Sequence, residues 1–88
     1  MENEIEKKSQ ILKAAANAKR LEILHCISTK EHSVGALEKL IDLSQSALSQ
    51  HLAVLRRAGI VKTRRKAQTI YYSLSNEHIK KLLKIFDL

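Results

Sequence analysis

Leu43-Ser44-Gln45-Ser46-Ala47-Leu48-Ser49-Gln50-His51-Leu52-Ala53-Val54-Leu55-Arg56-Arg57-Ala58-Gly59 is the stretch on which the reading of the fold turns. Advanced at about 100° per residue, it makes a helix with two unlike faces. Leu48, Leu52 and Leu55 fall together, flanked by Ala47 and Val54, while Gln45, Ser46, Ser49, Gln50, Arg56 and Arg57 lie opposite. Ser44 predicts an N-cap, its hydroxyl accepting from a free amide of the first turn. Gly59 predicts the stop, because it tolerates a left-handed backbone. A helix that merely met water would be expected to carry Glu and Lys outward. This one shows short Ser and Gln near its start and two Arg at its end. Side chains that both donate and accept, followed by phosphate binders, suit a helix entering a DNA major groove N-terminus first.

Upstream, residues up to about Ala16 read as a first helix striped by Ile5, Ile11, Leu12 and Ala15. Asn17 caps a second, from Ala18 to Ser28 or Thr29, and Thr29–His32 reads as a loop. Ser33 caps a third, from Val34 to Ile41, with Val34, Leu37, Leu40 and Ile41 as its apolar side. Asp42-Leu43-Ser44 is then a turn of helix-turn-helix length. Downstream the period changes. Ile60–Arg65 and Thr69–Leu74 are rich in β-branched and aromatic residues, with Ile70, Tyr72 and Leu74 alternating onto one face. Lys66-Ala67-Gln68 between them predicts a hairpin turn, giving a two-stranded wing with a basic tip. Ser75 or Asn76 caps a last helix striped by Ile79, Leu82, Leu83 and Phe86.

The expected fold is therefore mainly α with a small β-hairpin, a winged helix-turn-helix of about five helices in one domain over residues 1–88. A small chain buries a modest fraction of its surface. A core of three helices and a wing leaves the stripes of the first and last helices short of partners. Ile5, Ile11, Leu12, Ala15, Ile79, Leu82, Leu83 and Phe86 are accordingly expected to join two copies in a homodimer.

Charge points to a polyanionic partner. The 88 residues carry a net charge of +7. No acid lies between Asp42 and Glu77, an interval that holds Arg56, Arg57, Lys62, Arg64, Arg65 and Lys66. One face of the protein should be basic. A single cysteine, Cys26, rules out an internal disulfide and fits a reducing, cytoplasmic setting. No run approaches the roughly 18 apolar residues of a membrane span, and the acidic N-terminus is no signal peptide. Neither a membrane nor a cofactor is expected.

The run from Leu43 to Val61, with Arg64-Arg65 and Ile70-Tyr71-Tyr72 after it, closely resembles the ArsR/SmtB family of winged-helix repressors. Asn17-Ala18-Lys19-Arg20-Leu21-Glu22-Ile23-Leu24 is similar to the start of that family's second helix, with Ala18 where proline is common. The resemblance implies a dimer joined through the first and last helices that binds an imperfect inverted repeat and releases it when an effector binds. The sensing chemistry departs from the family. Val34–Leu40 lacks the cysteine motif of metal-sensing members, and the last helix offers only Glu77, His78 and Asp87. The wording from Ser46 to Tyr72 is most similar to the thiol- and sulfide-responsive subgroup, which uses one cysteine in the second helix and one in the last. Cys26 stands next to the implied position, which His25 occupies, and the last helix has no cysteine. A dithiol switch within one subunit is impossible.

The candidate DNA contacts are Ser44, Gln45, Ser46, Ser49, Gln50, Arg56 and Arg57 on the helix, with Lys62, Arg64, Arg65, Lys66 and Gln68 on the wing. Against each stands a plainer role: a polar helix surface, or a charged edge that keeps a hairpin from aggregating. Either Arg56 or Arg57 could instead pair with an acid inside the fold. His51, at the border of the apolar face, reads as a structural histidine. Cys26 is a possible redox sensor against the common case of a buried small hydrophobe. The histidines His25, His32 and His78 have no zinc-site spacing, and no glycine-rich phosphate loop, nucleophile elbow or spaced carboxylate pair suggests an enzyme. The expected function is sequence-specific binding of double-stranded DNA by a homodimeric repressor, with effector and operator unspecified. The alternative is a winged-helix protein-interaction module, which would favour exposed aromatic anchors over a basic, acid-free interval. Single-stranded binding needs stacking platforms, and aromatic content is 3%.

Overall fold

The computed structural model describes residues 3–88. In chain order its elements are α1 (Glu4–Ala15), α2 (Ala18–Ile27), β1 (His32–Ser33), α3 (Val34–Leu40), α4 (Gln45–Arg57), β2 (Val61–Lys66), β3 (Thr69–Leu74) and α5 (Glu77–Ile85). Each helix begins on a side chain that accepts from an amide of its first turn, groups that would otherwise lack a partner. Asn3 accepts from Glu6, Asn17 from Arg20, Ser33 from Ala36, Ser44 from Ala47, and Asn76 from His78 and Ile79. Ser75, the other candidate for the last cap, instead donates its hydroxyl to the Ile60 carbonyl at 3.3 Å.

α4 ends in a closed C-terminal motif. Gly59 sits at φ 72°. The Gly59 amide donates to Arg56 and the Ile60 amide to Leu55, both at 3.0 Å, which satisfies carbonyls of the last turn. Leu55 and Ile60 are both fully buried, so the same turn that stops the helix also packs its end against the core.

The sheet has three strands where the sequence predicts two. His32, expected in a loop, and Ser33, expected as the cap of the third helix, pair with Tyr72 and Tyr71, giving the antiparallel order β1-β3-β2. A two-residue strand carries no alternation of its own; only its distant partner specifies it. The hairpin turn is Ala67-Gln68, with Lys66 paired to Thr69 as the last rung and Ala67 at φ 55°.

Leu48, Leu52 and Leu55 of α4 meet Ile23, Leu24 and Ile27 of α2 together with Leu37, Ile41, Ile60, Leu74, Ile79 and Leu83 in one buried cluster. Leu40 is a correction to the predicted α3 stripe: it is 60% exposed. Six residues from Val34 turn through about 240° at helical pitch, away from Leu37 and Ile41. Along β3 burial fades from Leu74 to Ile70 as the wing leaves the core.

The expected dimer residues divide into two groups. Ala15, Ile79 and Leu83 are buried within the subunit's own core, so α1 and α5 have more to pack against than the sequence suggests. Ile5, Leu12 and Phe86 are exposed and Ile11 and Leu82 half-buried, leaving an apolar face uncovered along α1 and α5.

Candidate nucleic-acid interface

Helical pitch arranges the outward surface of α4 as two rows. Gln45, Ser49 and Arg56 form one; Ser46, Gln50, Ala53 and Arg57 form the other. All seven are exposed, and no acid interrupts them. Ala53, in the middle of the second row, adds only a methyl group, so a partner can come close to the backbone. Ser44 is exposed as well, and its hydroxyl is engaged as the cap, accepting from Ala47 at 3.2 Å and lying 3.4 Å from the Ser46 hydroxyl. His51 is half-buried beside the core face, as its position predicts.

Lys62, Arg64 and Lys66 alternate onto one face of β2, and Arg65 reaches solvent where the wing has left the core. Gln68 is exposed in the turn. Arg64 is not a free cation. Its Nε donates to Glu31 Oε2 at 3.1 Å and its Nη2 to Glu31 Oε1, and its guanidinium lies 4.8 Å from the Tyr71 ring centre. The pairing follows from the sheet. Tyr71 stands opposite Arg64 on one side and Ser33 on the other, which carries Glu31 to the wing. The hydrogen bond with Arg64 is the main cause holding the Glu31 carboxyl below its ordinary range, against a smaller effect of burial; the same bond raises Arg64. The acid-free interval of the sequence is therefore not acid-free in space. Among the described residues, no ion pair engages Arg56, Arg57, Lys62, Arg65 or Lys66.

Arg20 is a support that sequence reasoning missed. Its Nε donates to the Ala14 carbonyl at 2.5 Å, its Nη2 to Lys13 at 3.5 Å, and its Nη1 to His51 Nδ1 at 3.1 Å. One side chain thus joins the end of α1 to α4. It stands in the run Asn17–Leu24, where nothing in the sequence distinguishes it from the neighbouring Lys19.

Cys26 is half-buried against the core. Burial first, and the Glu22 carboxylate second, push its thiol above the ordinary value, which keeps the reactive thiolate scarce at neutral pH. Among the described residues, no group of His, Cys, Asp and Glu is placed to hold a metal ion, and no helix is long and apolar enough to cross a membrane.

The chain matches the family described as bacterial regulatory protein, arsR family, over residues 17–63. It is 49% identical over 85 residues to the transcriptional activator HlyU of Vibrio cholerae, covering 97% of this chain and 79% of that protein. A solved structure of HlyU from the same organism superposes with a TM-score of 0.89 over 98% of this chain and 94% of that one. The nodulation protein NolR of Rhizobium meliloti is 56% identical over 72 residues, 82% of this chain, and the chain spans 59% of NolR's length. A solution structure from Mycobacterium bovis, described as a homodimeric winged helix-turn-helix DNA-binding domain, is 26% identical with a TM-score of 0.85, covering 94% of this chain and 77% of that one.

Proposed function

Because the chain belongs to the arsR family of bacterial regulatory proteins, we propose that it acts as a homodimeric transcriptional regulator that reads double-stranded DNA in the cytoplasm. The observation that carries this reading is the outward face of α4, two exposed rows of Gln, Ser, Ala and Arg without a carboxylate. In the proposed complex the first turns of α4 enter the major groove, where Gln45, Ser46, Ser49 and Gln50 meet base edges. Arg56 and Arg57 meet phosphates at the groove's edge, together with Lys62, Arg65 and Lys66 of the wing and Ser44 and Gln68 beside them. Arg64 serves mainly as a strut of the wing, since Glu31 and Tyr71 already engage it.

A second copy covers the apolar face of Ile5, Ile11, Leu12, Leu82 and Phe86, so the operator is an inverted repeat. Ala15, Ile79 and Leu83 support that interface from beneath. The output is read as repression, by an operator that overlaps a promoter. HlyU is named an activator; the sign depends on where the operator lies rather than on how the helix reads it.

The test is the salt dependence of binding to a duplex selected from random sequence by the purified protein. Log affinity should fall linearly with log salt concentration, with a slope of about −0.9 per phosphate neutralised. A flat response would refute DNA binding and favour a protein partner.

A further inference from the structure

We infer that the cleft between α1 and α4 is a binding site for a tetrahedral oxyanion. The cleft has a volume of about 280 Å³. Lys13, Arg20 and Arg57 line it with Gln10, over a floor that includes Ala14 and Val54. Three cations and a primary amide line a common space, and among the described residues no carboxylate lines it.

Arg20 makes this more than a crowd of surface charges. A guanidinium has five N–H donors in a rigid plane. The contacts to Ala14 and His51, with a longer one to Lys13, use three of them and hold the guanidinium between the end of α1 and α4. Two N–H groups remain, on a charge whose position these contacts restrain. An anion arriving there does not have to order the group that receives it, which lowers the cost of binding. Lys13 and Arg57 flank this fixed charge, and among the described residues neither is in an ion pair. Gln10 adds a neutral donor. Fixed and mobile cations around a small concavity suit phosphate or sulfate better than a carboxylate, because a tetrahedral anion accepts from several directions at once.

Arg57 also closes the second row of the outward face of α4. The cleft is therefore continuous with the proposed DNA surface, and its oxyanion can come from the DNA backbone or from a free anion in solution. The first source rests on the DNA reading proposed above; the second does not.

The two sources separate with wild type, Lys13→Gln and Lys81→Gln, the last removing the same charge from α5. In the first arm sulfate is titrated at constant ionic strength and the side-chain N–H resonances of Gln10, Arg20 and Arg57 are followed. Saturable shifts in wild type, weakened about tenfold in Lys13→Gln, are expected for a charge-assisted contact. In the second arm the salt slope of duplex binding should become shallower by about 0.9 per lost phosphate contact in Lys13→Gln but not in Lys81→Gln. A response in the second arm assigns the oxyanion to DNA, and a response in the first alone assigns it to a free anion. No saturable shift, with equal slopes in the two variants, overturns the site. Failure of wild type to bind any duplex would refute the DNA reading and leave the sulfate arm to decide this one.

Discussion

Arg20 Nη1 lies 3.1 Å from His51 Nδ1, and together with the Arg20 contacts to Ala14 and Lys13 it ties the middle of the reading helix to the end of α1. Arginine has no acceptor, so His51 Nδ1 must accept and Nε2 must carry the proton. Long-range proton–nitrogen correlation should therefore find an unprotonated Nδ1. Arg20→Ala is expected to lower stability by about 1.5–3 kcal/mol in urea unfolding, the range for hydrogen bonds to a charged group. In a double-mutant cycle with His51→Ala the two losses should fail to add by about 1 kcal/mol. Simple additivity would mean that the contact contributes nothing.

Glu31→Gln removes the carboxylate that engages Arg64 on the wing. Duplex affinity should rise roughly two- to fivefold at low salt, and the gain should shrink as salt screens the site. Stability should respond to acid as well. Because the folded state holds the Glu31 carboxyl below its ordinary range, the unfolded chain binds more protons there. The stabilisation is complete above about pH 5 and is lost as pH falls through the lowered value. Glu31→Gln should flatten that acid limb in a pH series of melting curves, whereas an unchanged limb would show that the pair does not couple to folding.

Gly59 and Ala67 make opposite predictions from the same backbone rule. Gly59→Ala has open space for its Cβ, with nothing within 4 Å, so its cost is conformational alone, about 1–2 kcal/mol. Ala67→Gly relieves a positive φ of 55° in the wing turn and should gain about 0.5 kcal/mol after the added freedom of the unfolded chain is subtracted. Thermal unfolding should shift down for the first and up for the second.

Leu12 and Leu83 test which apolar residues belong to the subunit and which to its partner. Leu12 is 55% exposed and Leu83 2%. Leu12→Glu should leave the subunit folded but shift sedimentation toward monomer. Leu83→Ala should cost about 2–5 kcal/mol of stability, as core truncations do. A Leu12→Glu protein that stays dimeric would place the interface elsewhere.

Four of the five helices are legible because each declares its own start. Asn17, Ser33, Ser44 and Asn76 are cap residues by type, and the apolar spacing behind them repeats at helical pitch. Gly59 marked a stop for the same local reason. Contacts between distant segments left no such trace. β1 exists only because β3 offers it an edge, and Glu31 reaches Arg64 only because that strand forms. Arg20 reads as one more charge on α2 until the fold sets it beside Ala14 and His51. Leu40 fits the apolar stripe of α3 only because that spacing is loose enough to admit a residue on the wrong side. The outward rows of α4 were visible at once, whereas the surroundings of Cys26 needed the packed structure.

The most direct test of the central claim is the specificity ratio of a Ser46→Ala/Gln50→Ala protein, measured against wild type. Duplexes selected by the wild-type protein supply the specific site, and a shuffled duplex of the same length supplies the reference. If α4 reads base edges, the ratio of the two affinities should fall at least about tenfold, because each good base contact contributes about 1–3 kcal/mol of discrimination. Affinity for the shuffled duplex, set by phosphates, should change little. An unchanged ratio, or an equal loss on both duplexes, would contradict the claim that the outward face of α4 is the reading surface.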